Sequence, residues 1–248
     1  MTVLSVNVNK IALLRNSRGR DYPKLLKFVE QLLALGVKGI TVHPRPDERH
    51  VTRQDVYDIS QYLRSRSDVE FNIEGYPSED FLDLVMAVSP AQCTLVPDQP
   101  DQLTSDHGWD VSANASQLTD VLARLRKAGI RSSLFLNASI TAVELVPGVD
   151  ADRIELYTED YARSFGTAAQ DKVIAQYAAA AAKAHELGLG INAGHDLNLD
   201  NLTPFCQNVP HVLEVSIGHA LIADALDMGL KTTVEAYLHI LKMTVGPV

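Results

Sequence analysis

Short apolar runs alternate with amphipathic segments along the whole chain. The apolar runs are rich in β-branched residues and have the length of buried strands, which we expect at residues 4–8, 40–42, 69–74, 93–96, 132–136, 154–157, 190–193 and 213–217. The segments between them carry apolar residues at the three- and four-residue spacing of helices. The repeat averages about thirty residues, which is the size of a βαβ unit.

Eight such units predict an α/β protein with a (β/α)8 barrel, which we expect to be a single domain of residues 1–248. A doubly wound open sheet is the alternative. That alternative has less support, because no glycine-rich turn follows the first predicted strand. In either fold, ligands bind at the carboxyl ends of the parallel strands.

Capping pairs and breakers predict where the helices begin and end. Three pairs have the spacing of a capping box, namely Thr52 with Asp55, Thr141 with Glu144, and Thr232 with Glu235. The polar segments 9–22 and 97–112 are predicted as loops. The second loop is long enough to be a lid over a binding site.

Composition excludes several classes of partner. The chain is 46% hydrophobic and 21% charged, with a net charge of −9, so an extended surface for nucleic acid or anionic membrane is not expected. No apolar run approaches the roughly 20 residues of a membrane span. Cys93 and Cys206 lack the paired spacing of a metal site. We therefore expect a cytoplasmic protein with reduced cysteines.

Polar side chains stand at the ends of the predicted strands. These residues are Asn7, Asn9, His43, Glu74, Asn137, Glu155, His195 and His219. Strand ends are half exposed and tolerate polar groups, so any one of these residues has an ordinary structural explanation. The explanation is weaker for Glu74 and Glu155, because a carboxylate that directly follows an apolar strand is costly to bury without a partner. Together these residues predict that ionisable side chains surround the mouth of the barrel, meaning its opening at the carboxyl ends of the strands.

A glycine followed by a histidine ends both of the last two predicted strands. Gly194-His195 and Gly218-His219 stand where barrels often bind phosphate, through backbone N–H groups and the start of a short helix. The pattern indicates a phosphorylated ligand. A zinc hydrolase is the alternative use of several histidines, but no His-x-His pair ends the first strand. We therefore expect acid–base chemistry and no metal.

Segments over nearly the whole chain resemble the pyridoxine 5′-phosphate synthase family in order and spacing. They are Ser5-Val6-Asn7-Val8, Arg15-Asn16-Ser17-Arg18-Gly19, the run from Gly39 to His50, Asn72-Ile73-Glu74, Leu95-Val96-Pro97, Ser133-Leu134-Phe135, Glu155 with Tyr161-Ala162, Asn192-Ala193-Gly194-His195, and Ile217-Gly218-His219-Ala220. The resemblance implies a barrel that assembles into a homo-oligomer, with an octamer as the expected state, without metal or organic cofactor. The implied reaction condenses 1-deoxy-D-xylulose 5-phosphate with 3-amino-2-oxopropyl phosphate, releasing phosphate and water.

The resemblance also implies a role for individual residues. His43 and Glu74 match proton acceptors, His195 matches the proton donor, and Glu155 matches a carboxylate that stabilises a transition state. The same matching assigns the residues that bind the two phosphates. The aminoketone phosphate is matched by Asn7, Arg18, Gly218 and His219. The deoxyxylulose phosphate is matched by Arg45, His50 and Thr104.

The chain departs from the family pattern at three places. Many members have Asp-His where this chain has Asn9-Lys10, and we expect these two residues to take part in substrate binding, with Lys10 supplying positive charge. The usual glycine after His195 is Asp196, which places a carboxylate near a phosphate and weakens binding unless it turns away. The third departure is Glu159, which stands where the family has a glycine. These departures indicate either a subgroup or an altered substrate, and we favour the subgroup.

Two other functions stay open at this point. A phosphate-binding barrel that acts as an epimerase or aldolase would turn over a single sugar phosphate. A non-catalytic binder of B6 phosphates would keep the phosphate-binding residues and lose the acid–base residues. This chain retains His43, Glu74 and His195, which favours the synthase.

Overall fold

Parallel strands close into a barrel in sequence order. The computed structural model describes residues 2–98, 102 and 105–244. Within this part of the chain β1 pairs with β2 and so on to β8, which pairs back with β1. The strands are β1 (Val3–Asn7), β2 (Gly39–Val42), β3 (Glu70–Gly75), β4 (Gln92–Leu95), β5 (Arg131–Leu136), β6 (Arg153–Leu156), β7 (Gly190–Ala193) and β8 (Val212–Ile217). The (β/α)8 prediction is confirmed, and the open sheet is wrong.

Helices surround this barrel. They are α1 (Asn9–Asn16), α2 (Leu25–Ala34), α3 (Arg53–Leu63), α4 (Glu79–Val88), α5 (Ala115–Lys127), α6 (Ile140–Leu145), α7 (Glu159–Ser164), α8 (Gln170–Glu186), α9 (Leu202–Asn208), α10 (His219–Met228) and α11 (Leu230–Met243), with a 3₁₀ helix at Val146–Val149. Among residues 2–98, 102 and 105–244, no helix has both the length and the apolar character to cross a membrane.

Helix α1 corrects the prediction of a loop over residues 9–22. Its sequence is polar overall, yet Ile11 and Ala12 are buried against the barrel. Its last turn is fixed by Arg15, whose Nη2 donates a 2.8 Å hydrogen bond to Asp55 Oδ2 on α3. A tertiary ion pair therefore stabilises a helix that local hydrophobic periodicity does not reveal.

One of the three predicted capping boxes is present. The Asp55 N–H donates to Thr52 Oγ1 at 3.2 Å, and the Thr52 N–H donates to Asp55 Oδ2 at 2.8 Å. The capping boxes at Thr141 and Thr232 are wrong, because α6 begins directly after Ser139 and α11 directly after Gly229. In both cases the threonine lies inside the first turn, where it cannot cap.

Polar side chains fill the interior of the barrel, while apolar side chains face the helices. Asn192 Nδ2 on β7 donates to Gln92 Oε1 on β4 at 3.3 Å, a bond that crosses the interior because these strands are not neighbours. Thr94 Oγ1 donates to Asn72 Oδ1 at 3.0 Å in the same layer. Since side chains alternate along a strand, Glu74 shares the inner face with Asn72.

The exit of β7 passes very close to β8. A Cβ atom on Gly194 would overlap the carbonyl oxygen of Ser216, which is backbone and cannot move aside. Glycine is therefore required at this position by close approach. The contact brings the loop that carries His195 onto the rim of the barrel.

We predict that Gly194→Ala lowers the free energy of unfolding by about 1–3 kcal/mol, the usual cost of overpacking. Gly148→Ala is the matched control, because an added Cβ there meets no atom within 4 Å. Urea unfolding of both variants measures the difference. Equal midpoints for the two variants would show that the close approach is not a constraint.

Candidate active site

Strand ends β1 to β3 bring the first site residues together. His43 directly follows β2, is only 8% exposed, and places Nδ1 3.9 Å from Glu74 Oε2. Glu74 accepts hydrogen bonds from Asn7 Nδ2 at 3.4 Å and from Asn72 Nδ2 at 3.5 Å. An imidazole and a carboxylate thus face each other in a buried setting.

Three carboxylates from separate strands share the inside of the barrel. Glu74 lies on β3, Glu155 on β6 and Glu214 on β8, and the last two are 4% and 3% exposed. Glu155 Oε2 and Glu214 Oε1 are buried and have no hydrogen-bond partner among the described residues. Carboxylates in this environment resist ionisation, since water no longer solvates the charge.

Their pKa values follow from burial and mutual repulsion. Burial, with the charge of Glu214, raises the pKa of Glu155 to about 8. Burial raises the pKa of Glu214 to about 7, although Arg153 opposes the shift. Burial and then Glu155 raise the pKa of Glu74 well above its ordinary value. The group therefore holds protons at neutral pH that it can exchange with a ligand.

The histidines that follow β2 are neutral. Burial, and then the charge of Arg45, lower the pKa of His43 well below its ordinary value. Burial, Arg45 and Lys10 lower the pKa of His50 to about 4. His50 Nδ1 accepts a 3.0 Å hydrogen bond from the Val51 N–H, which needs a deprotonated nitrogen. A neutral imidazole has a free nitrogen that can accept a proton.

His195 has the opposite electrostatic environment. Its Nδ1 lies 2.9 Å from Asp196 Oδ2, and its ring packs edge-on against Phe135 and Tyr157 at centroid distances of 6.4 and 5.8 Å. Burial by itself would lower the pKa of His195, but the hydrogen bond and charge of Asp196 raise it above the ordinary value. His43 and His195 follow the carboxyl ends of β2 and β7, which lie on the same rim of the barrel, and the charge of His195 depresses the pKa of His43.

Arg45 is held at the rim by acidic and backbone groups. Its Nη2 lies 2.5 Å from Asp98 Oδ2, and its Nη1 donates to the Gln102 carbonyl at 2.7 Å. Ser105 Oγ also donates to Asp98 Oδ2, at 2.8 Å. A phosphate that binds Arg45 must therefore compete with Asp98. The predicted contact residue Thr104 lies outside the described residues.

A cavity of about 170 Å³ opens beside this ion pair. Its wall includes His43, Arg45, Arg53, Tyr76 and Asp98. The cavity thus joins His43 to two cationic side chains, Arg45 and Arg53. It is the right kind of space for a phosphorylated ligand, because guanidinium groups bind phosphate oxygens in pairs.

Asn9 connects the exits of the first two strands. Its Oδ1 accepts a 3.0 Å hydrogen bond from the His43 N–H, and its own N–H donates to Asn7 Oδ1 at 3.0 Å. Asn9 therefore positions His43 through the backbone. Lys10 is half-buried on the first turn of α1 and lies close enough to His50 to depress its pKa.

The remaining predicted residues lie at or beyond the rim. Gly218 precedes α10, and a Cβ there would come within 3.0 Å of Asn7 Cβ and 3.1 Å of the Asn7 carbonyl oxygen. His219 is exposed and begins α10. Arg18 is exposed in the turn after α1, outside the buried cluster. The start of α10 thus meets the exit of β1, while Arg18 stands apart.

Sequence reasoning missed Glu214 and Asp98. Glu214 carried a readable signal, since it is a lone carboxylate inside an apolar strand, in the same alternation as Ser216. Asp98 carried none, because it stands in a polar loop among other aspartates. Across the described ranges, no group of three or more His, Cys, Asp or Glu side chains is arranged to hold a metal ion.

Solved structures with this architecture include enzymes of distant sequence. The phosphoribosyl anthranilate isomerase of Thermotoga maritima matches with a TM-score of 0.64 at 11% identity, covering 98% of this chain and 99% of the other. A structure titled "Native KDPGal structure" also gives 0.64, at 10% identity, with 98% and 95% covered. At such low identity these likenesses show the fold alone.

Relatives of similar sequence are named pyridoxine 5′-phosphate synthase. The protein of Bacteroides thetaiotaomicron is 52% identical over 242 residues, which are 98% of this chain and all of the relative. The protein of Christiangramia forsetii is 49% identical, over 98% of this chain and 100% of the relative. The protein of Albidiferax ferrireducens is 50% identical, over 96% of each chain. The family model of the pyridoxal phosphate biosynthesis protein PdxJ matches residues 4–243. This chain belongs to the PdxJ family of pyridoxal phosphate biosynthesis proteins.

Proposed function

We propose that this chain is a pyridoxine 5′-phosphate synthase, which condenses 1-deoxy-D-xylulose 5-phosphate with 3-amino-2-oxopropyl phosphate and releases phosphate and water. Full-length relatives at about half identity bear that name. The observation that carries the proposal is the pair of His43 and Glu74 at 3.9 Å, which shares a mouth with His195. Ring closure needs proton acceptors and a donor in one place.

The chemistry of the two substrates explains these residues. The amine of one substrate adds to the ketone of the other, so the imine joins the substrates and no enzyme lysine is needed. Oxygen then leaves as water, which requires a proton, and carbon loses protons before the ring closes. His43 is neutral and accepts protons, Glu74 exchanges them through a carboxyl whose pKa burial raises, and His195 donates them.

Glu155 supplies charge stabilisation in this scheme. Its Oε2 atom has no partner among the described residues, and its pKa of about 8 reflects that isolation. A cationic imine that enters the mouth would favour the ionised form of Glu155. The carboxylate then stabilises a positive charge that develops during the reaction, without reorganisation of solvent.

Phosphate binding divides between two sides of the mouth. Gly218 and His219 at the start of α10, with Asn7, hold the aminoketone phosphate, because a helix N-terminus attracts anions. Arg18 joins them only if its exposed turn moves inward. Arg45, His50, Asn9 and Lys10 serve the deoxyxylulose phosphate, and Thr104, which lies outside the described residues, is assigned to the same phosphate by the family likeness. Binding there exchanges the Asp98 carboxylate on Arg45 for phosphate oxygens.

We also propose that the chain works in the cytoplasm as a homo-oligomer, an octamer as the family likeness implies. Leu226 is 80% exposed and Met243 69% exposed, and large apolar side chains on the outer helices support self-association. Sedimentation of the purified chain at micromolar concentration measures its mass. We expect about eight chains per particle, and a monomer would contradict the proposal.

We predict that pyridoxine 5′-phosphate forms only when both substrates are present, at a pH between about 6 and 9 where tuned His and Glu groups operate. Product detection by chromatography, with each substrate alone as control, is the measurement. Turnover of one sugar phosphate alone would favour an epimerase or aldolase. Ligand binding without product would favour a non-catalytic binder.

We predict that Glu74→Gln slows turnover by about 10²-fold or more, the usual cost of losing an acid–base group. Glu70→Gln is the matched control on the same strand, since Glu70 begins β3 at the opposite end and pairs with Arg131 at 3.1 Å. Steady-state rates and thermal unfolding of both variants separate catalysis from folding. An unaffected rate for Glu74→Gln would remove it from the mechanism.

A further inference from the structure

The carboxylate of Asp196 lies on His195. Its Oδ2 is 2.9 Å from His195 Nδ1, at the position where the resembled family has glycine. We propose that Asp196 is a positioning residue that holds the Nδ1 proton of His195, so that Nε2 is the nitrogen that gives its proton to the substrate. The proposal rests on the function proposed above, in which His195 is the proton donor.

Asp196 is itself fixed in place by buried groups. Its N–H donates to Thr158 Oγ1 at 3.1 Å, and its carbonyl accepts from Asn201 Nδ2 at 3.2 Å. Thr158 is fully buried and Asn201 is 1% exposed. The backbone of Asp196 is therefore anchored on both sides, and its carboxylate meets His195 without rearrangement. A rigid carboxylate can orient an imidazole, whereas a mobile one cannot.

Two aromatic side chains also pack against one side of the His195 ring. Phe135 and Tyr157 contact it edge-on from β5 and from the end of β6. The Tyr157 hydroxyl donates to Glu159, which is another residue that replaces a family glycine. Two departures from the family pattern thus act on the His195 ring. Asp196 contacts it directly, and Glu159 contacts the Tyr157 side chain that packs against it.

This arrangement also explains how a carboxylate is tolerated near a phosphate. An unpaired Asp196 would repel the anion, but one bound to His195 forms a pair with little net charge when the ring is protonated. Among the described residues, the charged and titratable groups near His195 include Asp196 on its own loop, Glu155 on β6, Tyr157 after β6, Asp98 after β4 and His43 after β2. Asp196 is in direct contact, with its Oδ2 2.9 Å from His195 Nδ1.

The proposed pair predicts which tautomer His195 adopts when it is neutral. In its neutral form His195 must carry its proton on Nδ1, because that nitrogen donates to the carboxylate. Nitrogen-15 spectra of the full chain labelled at histidine report both the tautomer and the pKa of each ring. His195 is assigned by the signal lost in His195→Gln.

We predict that Asp196→Asn, which keeps the side-chain shape but removes the charge, lowers the His195 pKa by about one unit or more. Asp196→Gly restores the family residue and removes both shape and charge. Above both pKa values, a one-unit fall leaves a tenth of the protonated donor, so we expect kcat near pH 8 to fall about tenfold and KM to change little. Asp200→Asn removes an exposed carboxylate from the same loop and is the matched control.

Each outcome decides the proposal. A wild-type His195 with its neutral-form proton on Nε2 overturns it, and this measurement needs no variant to fold. Asp196→Asn with the wild-type pKa and pH profile overturns it too, as does an equal effect of Asp200→Asn. If the wild-type chain forms no pyridoxine 5′-phosphate while the Nδ1 tautomer and the pKa shift are found, the proposed function fails and the pairing stands.

Discussion

Closure of the parallel strands into a ring is the constraint on which the rest of the site depends. Because β1 pairs with β8, the carboxyl ends of all the strands meet on one rim, and alternate side chains point into one small interior. Glu74, Glu155 and Glu214 are drawn together there from strands that are far apart in the chain. Two of their oxygens lack partners among the described residues, so no hydrogen bond at those atoms offsets the lost hydration.

The cost of burying these carboxylates without partners raises their pKa values, which is useful to an enzyme that moves protons. Carboxylates with raised pKa values hold protons at neutral pH and release them when a cation arrives. The same rim keeps His43 neutral through burial and Arg45, while Asp196 favours a charged His195. One rim thereby contains an imidazole that favours its neutral form and one that favours its charged form, and the difference comes from the neighbours of two chemically identical rings.

Much of the fold was predictable from local pattern. Strand positions follow from short apolar runs, and the helix after Thr52 follows from a capping box that the structure contains. Helix α1 was not predictable in this way, because Arg15 and Asp55 stabilise it across a gap of 40 residues. The boxes at Thr141 and Thr232 failed because neighbouring residues, Ser139 and Gly229, set the start of those helices.

For the site, the sequence by itself determined which residues stand at the strand ends, since alternation and strand length are local properties. Only the tertiary structure decided that Arg45 pairs with Asp98, that Glu214 joins the buried carboxylates, and that Asp196 turns onto His195. The physical reason is distance. Desolvation and charge pairing depend on atoms that come within a few ångströms across the barrel, and no spacing along the chain encodes those approaches.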